Sequence, residues 1–197
     1  MERLLEAAEH VDIDKLVIDE ENSTVYISDP QMTLDVGAVA KGYAVEMVAQ
    51  SMEARGLSGY VLNVGGNVRA VGAKPDGSGW TAGIESPTGE DYLAYLSLTD
   101  ETLVTSGSYQ RYYLVNGKRY HHIIDRNTLM PSEGYLSVSV LTSHSGRADA
   151  LSTALFCMTP EEGMALVESL PDTEAHWVLS DGTRRTSSGW ENYRIEP

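Results

Sequence analysis

Between Val39 and Val48 apolar residues recur at four-residue spacing. Val39, Tyr43 and Met47 form one line, with Ala40, Ala44 and Val48 beside it. The spacing predicts a helix that buries this stripe and stops at Gly56. A shorter helical pattern, from residue 2 to about residue 11, turns Leu4, Leu5 and Ala8 inward. Elsewhere the pattern is that of strands. Residues 15–18 and 24–27 flank a polar turn, and residues 60–64 read as a nearly all-apolar, buried strand. Residues 67–71, 80–84, 93–98 and 103–105 follow, with turn chemistry at Lys74-Pro75-Asp76-Gly77 and Ser86-Pro87-Thr88-Gly89. Residues 109–115 and 118–124 flank Asn116-Gly117, the strongest hairpin signal in the chain. A strand at 136–141, helices at 147–158 and 160–170, and closing strands at 177–179 and 192–195 complete the order; Pro160 opens the last helix with Glu161 and Glu162 behind it. Helices inserted among antiparallel sheets make the class α+β, in one domain over residues 1–197.

Charge narrows the function classes. The 197 residues carry 29 acidic and 14 basic side chains, a formal charge of -15, which excludes a broad basic face for nucleic acid or anionic membrane. A polyanionic ligand then needs local help from backbone amides, a lysine, or a divalent cation held by carboxylates. Cys157 stands alone in an apolar run, so no internal disulfide forms and the thiol is expected in the core. No stretch has the length of a transmembrane segment, and the first residues form an acidic amphipathic pattern rather than a signal peptide.

Five clusters carry candidate chemistry. In Leu34-Asp35-Val36-Gly37-Ala38-Val39-Ala40-Lys41-Gly42-Tyr43-Ala44, a turn at Gly37 leads into a helix start, aiming free amides, the positive dipole end and Lys41 at one spot. That arrangement suits a phosphate, and an ordinary strand-to-helix turn with a solvated lysine fits it as well. In Asn63-Val64-Gly65-Gly66-Asn67 the double glycine reads equally as a β-bulge or as close approach of backbone to a ligand. Thr105-Ser106-Gly107-Ser108-Tyr109 lacks the elbow of a serine nucleophile. In His121-His122-Ile123-Ile124-Asp125, strand alternation sends the two imidazoles to opposite faces, so only one serves a given site. Zinc is poorly supported, for no H-E-x-x-H is present. Finally, Asp149 and Thr153 lie four apart on one helix face and could approach one hard cation. Equally, Asp149 could be a first-turn residue favoured by the dipole, with Thr153 bonding back to its own helix and Gly146 just before it.

Taken in order, these five motifs resemble the ApbE family of FAD:protein FMN transferases, formerly called thiamine biosynthesis lipoproteins, over about residues 16–170. The resemblance implies an ApbE-like, T-fold-related architecture and the transfer of FMN from FAD to a threonine or serine of a target protein, with release of AMP. It implies Mg²⁺ held by Asp149, Thr153 and a main-chain carbonyl near Ala38, and His122 as general base. Lys41, Asn63, Gly65, Gly66, Ser106, Gly107 and Asp125 fall in stretches that line the family's FAD site. An FAD pyrophosphatase giving FMN and AMP is the alternative, and a non-catalytic flavin-binding or interaction module a third reading.

The chain departs from the family at three places. Asp125-Arg126-Asn127-Thr128-Leu129-Met130-Pro131 replaces Asp-Pro-x-Thr-Gly-x-Pro, and Glu46 and Asn67 stand where aspartates are common. Full family members begin with roughly a hundred further residues. The chain therefore resembles their C-terminal two-thirds, and is expected to self-associate, to bind FAD weakly and to transfer little FMN in isolation. By the same resemblance the complete protein is periplasmic or otherwise extracytoplasmic, and membrane-anchored.

Overall fold

A computed structural model describes residues 1–89 and 91–196. In chain order α1 spans Glu2–Ala8, β1 Leu16–Asp19, β2 Thr24–Ile27, α2 Ala40–Glu53, β3 Tyr60–Val64 and β4 Asn67–Val71. Next come β5 Trp80–Glu85, β6 Tyr92–Leu98, β7 Thr102–Gly107, β8 Tyr112–Val115, β9 Lys118–His121, β10 Ile124–Asp125 and β11 Met130–Pro131. The remainder is β12 Tyr135–Thr142, α3 Ser145–Phe156, α4 Pro160–Ser169, β13 Thr173–Leu179, β14 Arg184–Thr186 and β15 Arg194–Ile195.

The central element is an antiparallel sheet of order β14-β13-β12-β7-β4-β3. Its two faces are buried by different partners, which explains why β12 is buried along nearly its whole length. On one face Val104, Val138, Val140 and Trp177 meet Ala148, Leu155 and Phe156 of α3 and Val167 of α4. On the other, Leu103 and Leu141 meet Ile84, Leu96 and Leu98 of a three-stranded sheet, β15-β6-β5, with Trp190. Adjacent residues such as Val140 and Leu141 thus serve opposite layers, as the pleat requires. Each large side chain buried here contributes about 1.5–3 kcal/mol. The layers are helices, large sheet, small sheet, and the expected α+β class with inserted helices holds. Thr159 and Glu162 form a capping box ahead of Pro160, fixing where α4 begins.

Several expectations are corrected. The stripe of Val39, Tyr43, Met47 and Val48 faces outward, with Tyr43 56% exposed, while Gly42, Val45, Glu46 and Ala49 face the protein. Small residues at this spacing admit a closer helix than the bulkier stripe would. No residue of α1 is buried, and Leu4 and Leu5 are exposed. β3 is a sheet edge, only half-buried, rather than an interior strand. The double glycine forms no bulge: Val64 pairs with Asn67, and Gly65 and Gly66 at φ 55° and 84° make a two-residue primed turn. Asn116-Gly117 makes the same kind of turn as expected, at φ 50° and 79°. Cys157 is exposed at the end of α3, not in the core.

Candidate active site

The site begins where two helices start beside each other. α3 opens at Ser145, so Gly146 lies inside its first turn and Asp149 in its second, not its first. Asp149 is buried, at 6% exposure. Its Oδ2 accepts the backbone N–H of Gly42, in the first turn of α2, at 2.8 Å. Reciprocally, Glu46 of α2 accepts the N–H of Ser145, the first residue of α3, through Oε2 at 2.8 Å. Each helix therefore caps the other with a carboxylate, satisfying amides that neither caps for itself. A glycine is needed at the crossing, since a Cβ on Gly42 would stand 2.4 Å from the Ser145 carbonyl oxygen and 2.6 Å from the Asp149 Cβ.

This capping changes the start of α2. Asp35 Oδ1 accepts the N–H of Gly37 at 2.6 Å, and the amides of Val39 and Ala40 donate to the Val36 carbonyl. The Gly42 amide would ordinarily donate to the Ala38 carbonyl four residues back, but it is committed to Asp149. Among the described residues, the Ala38 carbonyl receives no backbone hydrogen bond and the Lys41 amide makes none. The Lys41 side chain reaches across the β3–β4 turn, its Nζ donating to the Gly65 carbonyl at 3.3 Å. Asn63 Oδ1 accepts the Gly66 N–H, holding that turn.

β7 supplies the third wall. Ser106 Oγ lies 2.8 Å from Ser152 Oγ and 3.5 Å from Thr153 Oγ1. Ser152, not Thr153, bonds back to its helix, donating to the Asp149 carbonyl at 2.9 Å, which leaves the Thr153 hydroxyl available on the face it shares with Asp149. Gly107 gives room to the Tyr109 ring, which a Cβ there would meet at 2.6 Å. Direct contacts thus join Lys41 with Gly65, the Gly42 amide with Asp149, and Ser106 with Thr153. Three hard oxygens, from the Asp149 carboxylate, the Thr153 hydroxyl and the Ala38 carbonyl, fit a magnesium ion in kind, the carbonyl being unpartnered. No group of three or more His, Cys, Asp or Glu side chains able to hold a metal exists among the described residues.

The two histidines divide as alternation predicts. His121 is buried, His122 exposed. His121 accepts the Ile123 N–H at Nδ1, 3.3 Å, so its Nε2 carries the proton donated to the Ser132 carbonyl at 2.7 Å. Burial holds its pKa below the usual histidine value, opposed in part by the Ser132 carbonyl. It is a neutral structural residue. His122 Nδ1 lies 3.3 Å from the Arg111 carbonyl. Asp125 accepts the Asn127 N–H at 2.8 Å, closing the turn from β10 into β11. Neither His122 nor Asp125 bonds to Asp149, Thr153 or Lys41 among the described hydrogen bonds. Their segment is tied instead to the C-terminal end of α3, where Ser132 Oγ donates to the Phe156 carbonyl at 2.9 Å and Cys157 Sγ lies 3.8 Å from the Ile124 carbonyl. In that turn Leu129 holds φ 57°, a left-handed conformation.

Sequence reasoning missed a buried set behind Asp149. Arg69 Nε stands 3.8 Å from Glu46 Oε2, and Ser145 Oγ donates to Asn67 Oδ1 at 2.8 Å. The available signal was the spacing of Gly42, Val45, Glu46 and Ala49, which marks a second, narrower helix face carrying a carboxylate.

Comparisons with known proteins give the family and the fold. A family model described as the ApbE family matches residues 1–177. The FAD:protein FMN transferase of Treponema pallidum is 36% identical over 177 residues, covering 84% of this chain and 49% of that protein. That of Haemophilus influenzae is 36% identical over 85% of this chain and 50% of that protein. The crystal structure of the ApbE protein from Thermotoga maritima matches with a TM-score of 0.90 at 32% identity, over 99% of this chain and 64% of that one. The apo flavinyl transferase ApbE of Pseudomonas stutzeri matches at 0.81 and 30% identity, over 98% and 60%. The chain spans about half the length of these curated relatives.

Proposed function

Because the chain belongs to the ApbE family, we propose that its site takes part in moving FMN from FAD to a threonine or serine hydroxyl of a target protein, with release of AMP. The reading is supported by relatives named for FMN transfer and by the grouping of oxygens and amides at the start of α2. Asp149, Thr153 and the Ala38 carbonyl would hold Mg²⁺, which when bound supplies positive charge against the pyrophosphate. Lys41, with its unpaired amide at the helix start, binds and orients the same anion. His122 takes the proton of the acceptor hydroxyl as that oxygen bonds to the phosphorus of the FMN half; the bond to the AMP half breaks, and AMP leaves with the bridging oxygen.

The observation that carries this reading is the commitment of the Gly42 amide to Asp149. It leaves a main-chain oxygen free beside Lys41 and pins the carboxylate next to it. The test is incubation of the complete protein with FAD, Mg²⁺ and a threonine-bearing acceptor, followed by mass measurement. Transfer adds the mass of FMN, less water, to the acceptor and frees AMP. The exposure of His122 favours hydrolysis as a second reading, since water can reach the base; FMN and AMP formed with no mass gain on the acceptor would establish it.

We infer self-association of this chain from the apolar side chains exposed on β1, β2 and α2, among them Ile18, Val25, Tyr26 and Tyr43. Light scattering would detect it. The family resemblance further supports an extracytoplasmic place of action, and no helix among the described residues is long and apolar enough to cross a membrane.

A further inference from the structure

We propose that the β8–β9 ribbon is the docking edge for the acceptor, binding an extended, acidic segment of the target protein as a third strand whose hydroxyl is thereby presented to His122. The proposal rests on the transferase reading for its purpose, but not for its geometry.

The ribbon is a sheet of two strands with no further partner among the described residues. Val115 pairs with Lys118 around the two-residue turn, Tyr113 with Tyr120, Leu114 with Arg119 and Tyr112 with His121. In such a ladder the pairs alternate, so the N–H and C=O groups of Tyr112 and Leu114 point away from β9, along a free edge. Unpaired edges of this kind recruit extended peptides. All four residues of β8 are exposed, Tyr113 at 80%. One face of the ribbon carries Tyr113 and Tyr120 side by side, and alternation sets His122 on that same face, one step beyond β9. His122 is also tied to the foot of β8 through the Arg111 carbonyl.

Charge selects the occupant. The whole chain stands at -15, yet residues 111–126 contain Arg111, Lys118, Arg119 and Arg126 against a single carboxylate, Asp125. Lys118 is paired with Glu133. Arg111, Arg119 and Arg126 make no salt bridge among the described residues, and Arg119 lies over the Tyr112 ring at 4.4 Å. A basic, aromatic strand edge attracts acidic peptide and disfavours basic peptide.

The experiment is fluorescence anisotropy of a labelled extended peptide, one threonine flanked on both sides by aspartates, against the complete protein, with a lysine-flanked peptide as the counterpart. The aspartate peptide is expected to bind at least about tenfold more tightly, and the double variant Arg111→Glu, Arg119→Glu to remove that margin. Leu114→Pro, which deletes an outward N–H without touching the ladder, should weaken both peptides while FAD affinity and melting temperature stay unchanged. Equal binding of the two peptides, unaltered binding by both variants, or no peptide binding with the ribbon occupied by a second copy would each overturn the proposal. Peptide bound at the ribbon but never gaining FMN would instead defeat the transferase reading and leave the docking edge standing.

Discussion

The N–H of Gly42 and the carboxylate of Asp149 meet at 2.8 Å although 107 positions separate them in the chain. One oxygen of Asp149 is therefore structural and the other is not, and substitutions can separate the two roles. Asp149→Asn retains an oxygen for the Gly42 amide but loses the charge. It should keep stability within about 1 kcal/mol and abolish Mg²⁺-dependent FAD binding, whereas Asp149→Ala should also lose about 1–2 kcal/mol of capping. Thr153→Ala should be milder on both counts. Calorimetric titration with and without Mg²⁺, beside urea unfolding, checks all three; undiminished metal-dependent affinity in Asp149→Asn would remove the residue from the metal site.

Gly42→Ala places a methyl group against the Ser145 carbonyl and the Asp149 Cβ, both of them held by helix backbone. The helices must separate to admit it. The expected loss is about 2–3 kcal/mol of stability, with weaker Mg²⁺-dependent binding of FAD in the folded remainder. Retained stability in denaturant titration would contradict the close crossing.

His122→Ala should lower turnover about a hundredfold or more with no change in melting temperature, as loss of an exposed general base does. His121→Ala should do the reverse, losing about 1–3 kcal/mol because the Ile123 amide and the Ser132 carbonyl lose a buried partner. Turnover measured per folded molecule separates the two; equal kinetic losses at equal stability would refute the division.

Leu129 holds φ 57° at the position where the family pattern places glycine. A side chain in this conformation costs about 1–2 kcal/mol, so Leu129→Gly should stabilise the turn, offset in part by the greater freedom of glycine in the unfolded chain. A net gain of up to about 1 kcal/mol in urea unfolding is expected, and a loss would show that the leucine side chain earns its place by packing.

His176 is buried against Trp190, with ring centroids 5.4 Å apart, and burial first, then Arg184 and Arg194, lowers its pKa to about 4. The unfolded chain takes up the proton near pH 6.5 and the native state does not until about 4, so stability is full above the unfolded value and falls with pH between these two. The fall attributable to this group is about 3 kcal/mol. His176→Phe should flatten the stability profile in that window, measured by urea unfolding at fixed pH steps; an unchanged slope would exclude His176 as its source.

Much of this was legible before the structure. The Asn116-Gly117 hairpin, the Pro160 helix start and the opposite faces of His121 and His122 each follow from a local rule, and local rules survive folding. What failed was the direction of α2. The stripe of Val39, Tyr43 and Met47 is the more hydrophobic face, but the neighbouring helix needs a narrow surface, and Gly42 provides it. The same close crossing creates the mutual caps. The pairing of Glu46 and Asp149 with each other's helix starts is not legible in the sequence because the partner amides lie about half the chain away. Strands β11 and β14 escaped notice, and β10 was joined to β9 in the run 118–124, because two or three residues carry too little periodicity to read.

The mutual caps also set when the site can exist. Closing contacts between segments this far apart costs loop entropy, and folds dominated by such contacts form slowly. Neither helix completes its start early, so an unfinished chain lacks both the Gly42–Asp149 and the Ser145–Glu46 contacts. The same dependence runs backwards: a ligand that engages Asp149 and Ala38 together clamps both halves of the chain at once, and its binding energy is felt as resistance of the whole sheet-and-helix body to unfolding rather than of one loop.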